Sequence, residues 1–182
     1  MNLPNLISLA RLLSVPLAVW LILDGRYTSA FWLFVAAGLS DAVDGMLAKY
    51  LNAQSALGKF LDPLADKALL VSVYVALGRM GQMDSWLVIL VVSRDIMIVG
   101  GVIVTLLTIM RTYKVTPSLI SKTNTAAQIV LAAAVLARLG LGIDDMGAVT
   151  VLTYVVAATT LGSWAWYLVI WYRQTAGMED AQ

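Results

Sequence analysis

The sequence predicts an all-α integral membrane protein, a single bundle of six transmembrane helices with both termini in the cytoplasm. Three observations predict it. Of the 182 residues, 60% are hydrophobic and 13% charged, where soluble domains carry ~45–50% apolar and ~25% charged residues. Six apolar runs approach the ~20 residues needed to cross ~30 Å of hydrocarbon. The cations flanking those runs divide unequally between the two ends.

The first run spans about Leu6 to Leu23 and carries Arg11 near its start. Neither a basic leader nor a small-residue cleavage site is apparent, so no signal peptide is expected and this helix stays. The second, about Ser29 to Tyr50, holds Asp41, Asp44 and Lys49, and the third, about Gly58 to Arg79, holds Asp62, Asp66 and Lys67. Pro63 inside the third frees the carbonyl of Lys59 and is expected to bend the helix there. The fourth, about Trp86 to Met110, contains Arg94 and Asp95. These neighbours project ~100° apart, so each is expected to find its partner on another helix. The fifth, about Leu119 to Leu139, carries Lys122, and the sixth, Met146 to Tyr172, is uncharged. Connections are short and the polar tail from Gln174 is expected to fray, which makes residues 1–182 one membrane domain.

Alternating the loops places Arg26, Arg79 and Arg138 on one side, and Arg11, Lys49, Lys59, Lys67, Arg111, Lys114, Lys122 and Arg173 on or near the other. The positive side faces the cytoplasm. Tyr27, Trp32, Trp86, Trp166, Trp171 and Tyr172 fall near predicted interfaces and read as membrane anchors. A net charge of +1 with scattered cations offers no nucleic-acid footprint. With no Cys and no His, zinc, iron–sulfur and haem sites, thiol nucleophiles and serine–histidine triads lose their usual groups.

Carboxylates remain. An ionised Asp in a membrane helix costs ~2.5–3.5 kcal/mol, so four in two successive helices need compensation. Asp41 and Asp44 are three apart, Asp62 and Asp66 four apart, so each pair shares a helix face near the cytoplasmic end. A link of about eight residues makes the two helices antiparallel neighbours, and the four acids are expected to converge. Lys49 and Lys67 fall beside the pairs rather than between them. All-oxygen ligation suits Mg²⁺ or Mn²⁺, which bind phosphates readily; the expected substrate contains a phosphate or diphosphate. Gly38, Gly45, Ala48 and Gly58 surround the acids, admitting either a close helix contact, evenly weighed for Gly38, or a ligand against the backbone at Gly45.

Asp41, Asp44, Gly45, Ala48, Lys49, Gly58, Asp62 and Asp66 together form D-x-x-D-G-x-x-A-K-x8-G-x-x-x-D-x-x-x-D. This closely resembles the signature of the CDP-alcohol phosphatidyltransferases, six-helix membrane enzymes that displace CMP from a CDP-linked lipid with an alcohol. The family usually has Arg where Lys49 stands; Lys keeps the charge and loses the bidentate fork. Asn2-Leu3-Pro4-Asn5 followed by Arg11 resembles the opening of the phosphatidylglycerophosphate synthase and cardiolipin synthase branch. Gln54 to Gly58, Leu61 to Lys67, Ser93-Arg94-Asp95, and Ile120 to Ala126 with Gln128 are similar to eukaryotic-type cardiolipin synthases. The phosphatidylglycerophosphate synthases tend to show Ala-Arg-Glu at 93–95 and Gly-Lys-x-Lys-Thr at 121–125.

The resemblance implies two Mg²⁺ or Mn²⁺ ions held by Asp41, Asp44, Asp62 and Asp66 on the diphosphate of CDP-diacylglycerol, with Asp66 as the base that takes the acceptor's proton. It also implies a homodimer. Asn5, Gly45, Ala48, Lys49 and Gly58 would join Asp41 and Asp44 around the CDP-lipid. The acceptor, phosphatidylglycerol or alternatively glycerol 3-phosphate, carries phosphate, and Arg11, Arg94, Lys114, Lys122 and Asn124 are its candidate contacts. For Arg94 a buried structural ion pair is weighed above that contact; for Lys122 a lipid-headgroup anchor is weighed equally. A divalent-cation transporter is disfavoured because no acids continue the path across the membrane, and a prenyl-diphosphate transferase because its acid spacing differs. The short N-terminus suits a bacterial cytoplasmic membrane, with the site facing the cytoplasm.

Overall fold

The structure is a computed structural model. It describes the backbone of residues 3–51, 58–108 and 119–179, and the side chains of 9–40, 65, 67–98, 100 and 119–169. Among the described residues six helices form and no strand does: α1 Leu3–Leu23, α2 Tyr27–Leu51, α3 Gly58–Arg79, α4 Ser85–Thr108, α5 Leu119–Leu141 and α6 Ala148–Glu179. Each expected run has become a helix with ends moved by a few residues, because long apolar stretches satisfy every interior backbone group within themselves. Over described residues, α5 and Ala148–Val169 of α6 are long and apolar enough to cross a membrane, while Leu9–Leu23 and Tyr27–Ser40 form shorter apolar stretches.

Two details differ from expectation. Gly147 lies before the sixth helix, at φ 85°, in a turn where Met146 also takes φ 45°. The helix then starts at Ala148, where Asp145 accepts a hydrogen bond from the Val149 amide at 3.0 Å, satisfying one of the free donors of a helix N-terminus. At its other end α6 runs on through the polar tail to Glu179 instead of fraying at Gln174. As expected, Pro63 lies inside α3.

The order of packing is governed by α1, which lies against both α2 and α3; α2 also meets α5, α5 meets α6, and α4 meets α3 and α6. The apolar core joins Ile22, Val73, Tyr74, Leu77, Leu87, Val91, Leu131, Leu136 and Val156, all fully buried. Large apolar side chains also cover the outside: Leu13, Ile89, Ile96, Val151 and Tyr154 are each at least 64% exposed. Trp20, Trp32, Trp86 and Trp166 are about half exposed. Polar side chains are found inside, among them Arg11, Arg94, Asp95, Asn124, Gln128, Thr160 and Ser163.

Three turns gather at one end. Thr28 donates to the Gly140 carbonyl at 2.6 Å, Arg138 lies 3.9 Å from Asp145, and a cavity of about 210 Å³ joins Gly81–Asp84 to Arg138 and Val149. Arg26 pairs with Asp24 at 3.4 Å and covers the Trp20 ring at 5.5 Å. Among the described residues the close approach weighed for Gly38 is not seen, since a Cβ there would meet nothing within 4 Å. It occurs at Gly140, whose Cβ would lie 2.6 Å from the Thr28 nitrogen. Gly140→Ala is therefore expected to destabilise the bundle by about 1–3 kcal/mol, because backbone cannot yield as a side chain does. A thermal melt of the purified variant in detergent checks this, and an unchanged midpoint would contradict the contact.

Candidate active site

The helix geometry places Asp41, Asp44, Gly45, Ala48 and Lys49 on the second half of α2, and Gly58, Asp62 and Asp66 on the first half of α3. Both helices rest against α1, which carries Asn5 and Arg11. The direct α2–α3 neighbourhood expected from the short link is not extensive among the described residues, where α1 mediates. The side chains of these eight motif residues and of Asn5, and the whole of Lys114, lie outside the described residues. Arg11 is described: it is 4% exposed, and Ser14 donates to its carbonyl at 2.6 Å.

One turn past Asp62, the described part of the site begins with an ionic chain. Lys67 donates to Asp95 Oδ1 at 2.6 Å, and Arg94 Nη1 donates to the same oxygen at 2.7 Å. Arg94 Nη2 donates to Ser121 at 2.6 Å and to Ser163 at 2.8 Å, with Nε also directed to Ser163 at 3.2 Å. Arg94, at 0% exposure, is the largest fully buried side chain. Arg94 and Asp95 thus form the buried pair favoured above, although they pair with each other as well as across helices. A long guanidinium bridges the 100° that separates consecutive Cβ directions. One carboxylate links α3 to α4, and one guanidinium carries the link to α5 and α6.

A second polar layer follows along α5. Asn124 Oδ1 accepts from Thr159 and Thr160, each at 2.9 Å. Tyr74 donates to the Gln128 carbonyl at 3.0 Å. Asn124 Nδ2, both amide atoms of Gln128, Asp95 Oδ2 and Trp164 Nε1 are buried without a hydrogen-bond partner among the described residues. Ser121, Asn124 and Gln128 recur at three- and four-residue spacing and so share a face of α5. Lys122 projects elsewhere and is exposed.

Sequence reasoning found Arg94, Asp95 and Asn124 and overlooked that Lys67, Thr160 and Ser163 join them in one polar interior. A signal was present in α6, where Thr153, Val156, Ala157, Thr160 and Ser163 recur at helical spacing and are all buried. Small hydroxyl residues repeated on one face of an apolar helix mark hydrogen bonding between helices.

Comparison with known proteins assigns the class. The family model for CDP-alcohol phosphatidyltransferase matches residues 1–171, and the chain belongs to that family. It is 38% identical to CDP-diacylglycerol–glycerol-3-phosphate 3-phosphatidyltransferase 1, chloroplastic, of Oryza sativa subsp. japonica, over 96% of this chain and 58% of that protein. It is 35% identical to the cardiolipin synthase (CMP-forming) of Rattus norvegicus, over 89% of this chain and 59% of that protein. With the CDP-diacylglycerol–glycerol-3-phosphate 3-phosphatidyltransferase of Aquifex aeolicus it shares 36% identity over 69% of this chain and 70% of the relative. The chain spans under two thirds of the length of the rice and rat relatives.

Proposed function

We propose that this chain transfers the phosphatidyl group of CDP-diacylglycerol to phosphatidylglycerol, releasing CMP and forming cardiolipin. It does so as a six-span protein of a bacterial cytoplasmic membrane, with its termini and its acid cluster on the cytoplasmic side. The apolar exterior supports that setting, as does the confinement of the described intramembrane ions to a paired cluster inside the bundle.

Four carboxylates in a chain lacking His and Cys make a hard donor set that fits Mg²⁺ or Mn²⁺. Asp41, Asp44, Asp62 and Asp66 would hold two such ions, which when bound neutralise diphosphate charge and ease departure of CMP. Asp66 accepts the proton of the attacking hydroxyl. Lys49 meets the diphosphate as a point charge, and Gly45, Ala48 and Gly58 leave room for the nucleotide against the backbone. Asn5 lies on the same side. Arg11, Lys114 and Lys122 supply positive charge for the acceptor's phosphate, while Arg94, fully buried and held by Asp95, Ser121 and Ser163, serves the fold instead.

The observation that carries the choice of acceptor is the neutral, buried Asn124. Its oxygen is taken by Thr159 and Thr160, and its buried Nδ2 has no hydrogen-bond partner among the described residues. In the phosphatidylglycerophosphate synthase pattern a lysine falls at this place. A second lysine suits the dianion of glycerol 3-phosphate, whereas an amide donor suits a singly charged phosphodiester and its glycerol hydroxyls. The opposing reading, a phosphatidylglycerophosphate synthase, is favoured by the 38% identity to the rice protein. Purified protein with Mn²⁺ and CDP-diacylglycerol decides between them. We expect kcat/KM for CMP release to be about tenfold or more higher with phosphatidylglycerol, a discrimination of ~1.4 kcal/mol. Preference for glycerol 3-phosphate would transfer the assignment.

A further inference from the structure

We propose that Asp95 and Lys67 are positioning residues: their ion pair sets the placement of the Asp66-bearing turn of α3 against α4, α5 and α6. The inference rests on the reading that Asp66 acts in phosphatidyl transfer. Lys67 follows Asp66 directly, and its amine is held 2.6 Å from Asp95. At the far end of α3 the short turn Met80–Asp84 already ties that helix to α4, and Tyr74 ties it to α5 through the Gln128 carbonyl. Lys67 adds the tie nearest to Asp66. With α1 packed along α3, these polar ties hold the Asp66-bearing turn of α3 against the remaining rotation relative to α5.

The chain of contacts also reaches the acceptor side. Asp95 Oδ1 receives Arg94, and Arg94 spans to Ser121 on α5 and Ser163 on α6. One carboxylate oxygen therefore fixes both the helix carrying the base and the helix carrying Ser121, Lys122 and Asn124. Reaction geometry is sensitive at this scale, since a displacement of about 1 Å can cost about a hundredfold in rate.

The charge count makes the idea testable without losing the fold. Lys67, Arg94 and Asp95 together sum to +1, so Lys67→Met leaves a neutral Arg94–Asp95 pair and retains a folded bundle, while Asp95→Asn leaves two cations facing no carboxylate. With the full-length protein in liposomes, Lys67→Met is expected to lower kcat about a hundredfold. KM for CDP-diacylglycerol and for the acceptor is expected to stay within about threefold, as for loss of an effect confined to the transition state. Asp95→Asn, if it folds, should match it, and the double variant should be no worse than the poorer single, because each residue acts through the other.

A second measurement does not use activity. The chain has no Cys, so nitroxide labels at Val75→Cys on α3 and Leu119→Cys on α5, both exposed positions, report the separation of the two helices. Lys67→Met is expected to broaden that distance distribution. The proposal is overturned if Lys67→Met keeps more than about half the wild-type kcat, if acceptor KM rises while kcat holds, or if the distribution stays unchanged. Wild-type protein without CMP release would refute the functional reading instead, and the distance measurement would still judge the ion pair.

Discussion

Replacing Asp66 by Asn is expected to lower metal-dependent CMP release about a thousandfold, within the ~10²–10⁴ range of a positioned general base. The amide is nearly the same size, so packing is conserved. It lacks the lone-pair basicity to take the acceptor's proton, and it is a poorer ligand for a hard cation. Asp62→Asn should also abolish most activity, through metal loss alone. Titration of Mn²⁺ by electron paramagnetic resonance, read beside activity, separates the two: both variants should bind Mn²⁺ more weakly, but saturating Mn²⁺ should restore Asp62→Asn in part and leave Asp66→Asn slow for want of its base. Full activity in both variants would remove the carboxylate mechanism.

The largest stability effect is expected at Asp95, and its asymmetry with Arg94 is the informative part. Asp95→Leu leaves the fully buried Arg94 and the part-buried Lys67 without this counter-ion, and breaking a buried pair typically costs about 3–5 kcal/mol. Arg94→Met removes a larger side chain yet leaves Lys67 and Asp95 as a balanced pair. Its loss is confined to the bonds to Ser121 and Ser163 and to imperfect filling of the space, for which long core side chains cost roughly 2–5 kcal/mol when truncated to Ala and less when replaced by flexible Met. Asp95→Leu should therefore melt below Arg94→Met in detergent, even though fewer atoms change. The reverse order would show that Arg94 contributes chiefly by packing.

Both predictions bear on how much of the molecule is legible along the chain. Helix positions were, because a long apolar stretch satisfies its backbone groups most simply as a helix and the polar links between stretches mark where each one ends. The acid motif was legible too, since two pairs at three- and four-residue spacing carry the same message in any helix. Gly38 and Gly140 show the opposite case. Both are single glycines in apolar helices, and among the described residues only Gly140 meets a neighbouring backbone, because contact depends on which helix crosses there. Lys67 is similar: its place after Asp66 suggested a cation beside the acids, whereas its amine turns to Asp95 on α4.

Composition and periodicity thus foretold six helices, which follow from local rules repeated every few residues, and the spacing of the acids carried the resemblance to the family that the chain belongs to. The partners of the buried ions were settled by the fold. An Arg or Lys side chain reaches any of several helices with equal ease, and the choice among carboxylate, hydroxyl and amide is made by the angle and depth at which those helices meet. That is why Arg94 was visible as a buried cation in the sequence, while its joining of α4 to Ser121 and Ser163 became visible only once α5 and α6 were packed around it.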